Sequence, residues 1–189
     1  MAQEISKRRL LGLAIVLAGA VAVAAAFGRY YAPDAMLPEI ASPKGYRTVG
    51  LDAPTPEKLS GATVVTTDEV KALAANESVI LIDVMPISTE ERYHLPGSVW
   101  LPRAGEGNLS GKEIEQLEAN LREISERAKT SKMVFYCKAD CWLSWNASKR
   151  ALSMGFDKVY WYRDGTDGWR EKGWPMVAAE QWSVQKEFN

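Results

Sequence analysis

The sequence predicts an α/β fold, a central and mostly parallel sheet flanked by helices on both faces. Three observations predict it. Short apolar runs, at Val79–Val84, Met133–Tyr136 and Lys158–Tyr162, alternate with segments of helical period. The runs are continuous rather than alternating in polarity, as strands covered on both faces require. Two capping-box patterns, Thr66-Thr-Asp-Glu69 and Ser110-Gly-Lys-Glu113, mark where helices open. Strands alternating with helices lead to parallel pairing through right-handed crossovers.

The elements follow in chain order. Lys7-Arg8-Arg9 precede an uncharged run from Leu10 to Phe27 that is rich in Ala, Val and Leu. Residues 1–28 therefore read as an export signal peptide or, uncleaved, as a membrane anchor just long enough to span. Either way the positive-inside rule places the bulk of the chain outside the cytoplasm, in the periplasm, free or anchored to the inner membrane. Residues 29–61, with Pro33, Pro38, Pro43, Pro54 and Pro56 and no sustained period, read as a linker or wrapping arm. The ordered domain is expected at 62–177. It starts with a strand at Ala62–Val65 and a helix to about Ala75. The run Val79–Val84 is the central strand, its one Asp near the end. Val99–Leu101 is a short strand closed by Pro102, and Arg103–Leu109, with two glycines, is a surface loop. A helix from Ser110 to about Lys129 puts Ile114, Leu117, Leu121 and Ile124 on one face. The Met133–Tyr136 strand feeds a helix carrying Trp145, Ala147, Ala151, Leu152 and Met154, stopped by Gly155. After the strand at Lys158–Tyr162 come a turn at Asp164-Gly165 and a short helix from Asp167 to Lys172, closed by Gly173. Residues 178–189 are a tail, docked or frayed.

Charge excludes some functions. The net charge is −1 and no basic stripe follows the N-terminus, so nucleic acid is not a partner. The membrane is met only through the N-terminal segment. Both cysteines of the chain, Cys137 and Cys141, lie in one loop between the Met133–Tyr136 strand and its helix. Open α/β sheets place ligands at such strand ends. A helix N-terminus lowers a thiolate pKa, and converging loop N–H groups form an anion nest. Cys137 and Cys141 are thus the candidate catalytic pair, with Lys138, Ala139, Asp140 and Trp142 as the loop that binds substrate. Thiols four residues apart can meet if the loop approximates a helical turn. Outside the cytoplasm they tend toward a disulfide. Asp140 opposes nucleophilicity, since a carboxylate raises the pKa of a neighbouring thiol. No cofactor is required by the sequence. The binding alternative is copper or another metal on Cys137 and Cys141, although four ligands for structural zinc are not in evidence. His94 is the single histidine.

The residues Leu81-Ile-Asp83-Val84 and Tyr93-His94-Leu-Pro96-Gly97, followed by Val134-Phe-Tyr-Cys137, Gly155-Phe-Asp-Lys-Val-Tyr160, Gly168-Trp169 and Gly173-Trp-Pro175, resemble the rhodanese-like domains. The resemblance covers roughly residues 62–177 and implies a rhodanese-like sheet, with His94 and Asp83 as structural hydrogen-bonding groups. It puts Cys137 on the position of the family's sulfur-carrying cysteine, whose persulfide passes sulfane sulfur. The loop carries no arginine, and Met85 stands where an arginine commonly follows Asp-Val, so a bidentate partner for an anionic sulfur donor is missing. The paired cysteines followed by Trp142 resemble, more narrowly, the CXXCW-motif proteins associated with pyrroloquinoline-quinone (PQQ) dependent catabolism, though three residues separate the cysteines here. That resemblance implies an exported accessory of periplasmic PQQ-dependent alcohol catabolism, with a dehydrogenase system and a small thiol or sulfur donor as partners. Its chemistry would be thiol-redox or sulfurtransferase. The alternative is a non-catalytic module holding a metal, a redox cofactor or a partner protein through the same loop.

Overall fold

The computed structural model describes residues 45–76, 79–88 and 91–181. The expected signal or anchor at 1–28, the first part of the Pro-rich segment and the end of the tail lie outside the described residues. Among the described residues no helix is long and apolar enough to cross a membrane.

Five parallel strands form the central sheet: β1 (Thr63–Val65), β2 (Ile80–Asp83), β4 (Val99–Trp100), β5 (Met133–Tyr136) and β6 (Val159–Tyr162), in the spatial order β1-β6-β5-β2-β4. The register aligns Asp83 with Tyr136 and Tyr136 with Tyr162, so the strands' carboxyl ends meet at one edge. Side chains alternate across the pleat. Ile80, Ile82, Met133 and Phe135 pack on one face beneath helices α2 (Gly111–Ala128) and α3 (Trp142–Ser153). Leu81, Val134, Tyr136 and Tyr162 pack on the other with residues of α1 (Thr67–Ala75) and α4 (Gly165–Glu171). Both capping boxes form: Thr66 and Ser110 accept from the N–H groups of Glu69 and Glu113, whose carboxylates accept in return. Those bonds hold both glutamate pKa values below the ordinary carboxylate range.

Three sequence expectations change. The Arg103–Leu109 segment is not a simple surface loop. Ala104, Gly105 and Gly107 are buried, and the two glycines let backbone meet backbone. A Cβ at Gly105 would lie 2.3 Å from the Leu143 carbonyl oxygen, and one at Gly107 2.3 Å from that of Arg47. The segment is fixed by Arg150 of α3, whose buried guanidinium donates to the Ala104 and Glu106 carbonyls. Asp164-Gly165 is not a separate turn but the start of α4. The tail begins as a strand: β7 (Val177–Ala178) pairs antiparallel with β3 (Tyr93–His94), two residues too short to carry a period.

Burial of Tyr136 and Tyr162 has a consequence at high pH. Burial raises both phenols, Tyr162 to about 12, while the unfolded chain ionises near 10. Above pH 10 the unfolded state therefore binds fewer protons than the folded one, and stability falls as pH rises. For Tyr162 the loss should approach about 1 kcal/mol per pH unit between pH 10 and 12. Tyr162→Phe should flatten that slope in urea titrations taken at pH 9 to 11.5.

Candidate functional site

The loop that holds the cysteines leaves the carboxyl end of β5, the middle strand of the sheet. Asp140 takes a left-handed conformation, φ 48°, which asparagine and aspartate tolerate best among non-glycine residues. That reversal turns the chain back so that Cys137 and Cys141 lie 6.1 Å apart at Cα and are joined by a disulfide. Cys141 is the N-cap of α3, whose first turn carries no acidic residue. Both cysteines are buried, 1% and 2% exposed.

The predicted loop residues are gathered around the pair, each with a defined partner. The Ala139 N–H donates to Asp167 Oδ2 at 3.1 Å, so one amide of the expected anion nest already holds a carboxylate. Lys138 Nζ pairs with Asp52 Oδ1 at 3.0 Å. Asp140 Oδ1 accepts from the Thr55 N–H at 3.4 Å. Trp142 belongs to α3 rather than to the loop; it is 2% exposed, with the Arg47 guanidinium 4.6 Å over its ring and Trp145 edge-on at 5.2 Å.

Residues 45–61 of the Pro-rich segment supply most of these partners. Tyr46 is buried under Lys149 and Arg150, and Asn146 grips the Arg47 backbone on both sides, accepting from its N–H at 3.0 Å and donating to its carbonyl at 2.8 Å. Burial lowers the pKa values of Arg47, Lys149 and Arg150. Further on, the Leu51 carbonyl accepts the Trp142 N–H at 2.9 Å and Asp52 bridges antiparallel to Cys141. Sequence reasoning did not find Leu51, Asp52, Thr55 or Asp167. The arm carries no period to reveal which of its residues face inward, and Asp167 lies 28 residues from the amide it caps.

On the opposite side the loop rests on α4. The Thr166 N–H donates to the Cys137 carbonyl at 2.9 Å, and Lys138 bridges to Gly165. Beside it, Asp83 is fully buried and holds the next loop, accepting from the Met85 N–H at 2.9 Å and from Arg92 at 2.6 Å. His94 is buried in β3, its Nδ1 3.7 Å from Asp83 Oδ2 and without a hydrogen bond. A groove of about 260 Å³ opens elsewhere, between β4 and α2, lined by Trp100, Leu101, Arg103 and Leu117; neither cysteine borders it. Among the described residues no three His, Cys, Asp or Glu side chains gather as a metal site.

Residues 66–172 match the family of the rhodanese-like domain, more than half of the chain. No curated protein matches it. Solved structures similar to it include the BH2092 protein of Bacillus halodurans, 18% identical, with a TM-score of 0.49 over 67% of this chain and 88% of that one. A thiosulfate sulfurtransferase of Pseudomonas aeruginosa is 18% identical, with a TM-score of 0.46 over 64% of this chain and 21% of that one. An As-Sb reductase of Leishmania major is 16% identical, with a TM-score of 0.45 over 62% of this chain and 92% of that one. At these scores the activities of those proteins do not transfer. The family match covers four of the five strands of the central sheet and the cysteine loop, and the chain belongs to the rhodanese-like domain family.

Proposed function

We propose that the domain is a thiol–disulfide redox protein whose working group is the Cys137–Cys141 pair. The observation that carries this reading is the disulfide itself, in the loop after the carboxyl end of β5, where the family resemblance supports a reactive cysteine. Two of the groups that would receive an anionic sulfur donor are occupied, the Ala139 N–H by Asp167 and Lys138 by Asp52. That occupancy favours redox exchange over sulfane-sulfur transfer from a donor such as thiosulfate.

In the reductive direction a partner thiolate attacks Cys137 Sγ and forms a mixed disulfide. The Cys137–Cys141 bond breaks, and its electron pair leaves on Cys141 Sγ. That thiolate sits at the N-cap of α3, where the helix dipole stabilises a negative charge. A second partner thiol then attacks the mixed disulfide, Cys137 leaves, and two electrons and two protons have passed to the protein. Oxidation runs the same steps backward.

The setting we propose is the periplasm, reached through residues 1–28, because Lys7-Arg8-Arg9 and the apolar run after them have the form of an export segment and disulfides persist outside the cytoplasm. The Cys-x3-Cys-Trp sequence on a rhodanese-like domain supports an accessory role in PQQ-dependent alcohol catabolism, and a PQQ-dependent dehydrogenase system is the partner to test first.

The test is intact mass after thiol trapping, across a series of glutathione redox buffers. Wild-type protein should pass between no trapped thiol and two while its tryptophan fluorescence stays native. Cys141→Ser should form no intramolecular disulfide at any buffer potential and carry at most one glutathione, on Cys137. A pair that is reduced only as the protein unfolds would refute the redox reading and leave the disulfide as a staple.

A further inference from the structure

The disulfide has a cover. Leu51 packs against the apolar cluster that contains both cysteines, and the chain around it crosses the cysteine loop as an extended strap. Leu51 and Asp52 meet the cysteine loop through the Trp142 N–H to Leu51 carbonyl bond, the Asp52 bridge to Cys141 and the Lys138–Asp52 ion pair, and the long Thr55 N–H bond to Asp140 ends the crossing. The ion pair is largely in water, with its side chains 41% and 71% exposed, so it holds weakly. On both flanks the anchorage is different in kind. Tyr46 and the Arg47 backbone are fixed on α3 through buried groups. Beyond the strap, Thr55 and Leu59 are buried, and Arg163 donates to the Thr55 carbonyl at 3.2 Å. Between the two anchors lie Val49, 51% exposed, and Gly50, whose φ of +60° makes a turn that L side chains rarely adopt. Arg47 Nε donates to both the Val49 and Gly50 carbonyls at 3.0 Å and so braces the turn from one side.

We infer that residues 51–54 are a reversible strap that sets which thiols can reach the Cys137–Cys141 pair, lifting about the Gly50 turn while both anchors stay in place. Closed, the strap shields the sulfurs and excludes small thiols. Open, it uncovers the disulfide for attack on Cys137 and frees the Trp142 N–H, a backbone position that an incoming extended polypeptide thiol can take over from Leu51. The specificity is therefore local: a small reductant waits for the strap to open, whereas a polypeptide replaces the contacts that the strap gives up. The inference rests on the redox reading of the pair.

The experiment is the rate at which low concentrations of dithiothreitol reduce the disulfide of the full chain, followed by thiol trapping and mass. Dithiothreitol becomes the cyclic disulfide as the protein gains two thiols, so the exchange balances. At low reductant the rate follows the fraction of open strap. Gly50→Ala strains the closed turn and brings a Cβ to 3.0 Å from Arg47 Nη2, so it should raise the rate about 5- to 10-fold. Asp52→Asn should raise it about 2-fold by removing the exposed ion pair. Val70→Ala, in the buried cluster on the other sheet face, lowers global stability without touching the strap and should leave the rate unchanged. Equal rates in wild type and Gly50→Ala, with reduction proceeding in the folded state, would overturn the strap and leave the redox reading standing. Equal acceleration by Val70→Ala would also overturn it, because opening would then be global. Resistance to reduction in every variant until unfolding would overturn both.

Discussion

Replacing Asp83 by alanine is expected to cost about 3–5 kcal/mol of stability, more than any surface substitution in the domain. The carboxylate is fully buried at the end of β2, and the side chain of Arg92 that it faces is only 12% exposed. Its two oxygens satisfy a backbone N–H at Met85 and a guanidinium nitrogen of Arg92. Removing the carboxylate strands that guanidinium against the face of Trp100, 4.6 Å from the ring, with Nη1 already lacking a partner. An uncompensated buried cation is the costly outcome, not the loss of the pair as such. The double variant Asp83→Ala/Arg92→Met should therefore be less destabilised than Asp83→Ala alone. Urea unfolding of the four proteins of that cycle, followed by tryptophan fluorescence, gives the coupling directly. A cost below about 1 kcal/mol for Asp83→Ala would mean that the pair is solvated in solution.

Asp83 also shows how far the sequence could be read. Its place near the end of a continuous apolar run read as the end of a strand, the family resemblance implied that it fixes the next loop, and it does accept the Met85 N–H. The order of strands and helices was legible for the same reason: runs such as Met133–Tyr136 and caps such as Ser110–Glu113 are local signals. What was not legible depends on contacts between distant segments. Arg92 reads as one more charge in an irregular stretch until β2 and β3 are folded together. Gly105 and Gly107 suggest a loose loop, yet they are needed because Leu143 and Arg47 press on them. At the site, sequence located Cys137 and Cys141 and the loop between them. It could not show that the Pro-rich arm crosses that loop, because an extended strap has no periodic face of its own, and its grip on α3 runs through single residues such as Arg47 and Asn146 that are 99 positions apart.

Gly165→Ala is expected to cost about 2–4 kcal/mol and to disturb the cysteine pair itself, because two separate effects act at this position. The first is conformational: φ is +51°, a region that alanine adopts only with strain. The second is steric. A Cβ there would lie 2.3 Å from the Cys137 carbonyl oxygen and 2.9 Å from Lys138 Cα, and both are backbone atoms that move only if the loop moves. Displacing that carbonyl breaks its bond from the Thr166 N–H and shifts Cys137 relative to Cys141, whose N-cap position is fixed by α3. Gly97 separates the two effects. Its φ is +76°, yet nothing lies within 4 Å of the Cβ it would gain, so Gly97→Ala should show the strain alone, about 1 kcal/mol, with the thiol–disulfide equilibrium unchanged. Gly165→Ala should add a shift of that equilibrium in glutathione buffers, since a disulfide tolerates only a narrow range of Cα separations and the pair sits at 6.1 Å. If both alanine variants leave the equilibrium where wild type has it, α4 does not position the pair. The support of the loop must then come from the arm alone.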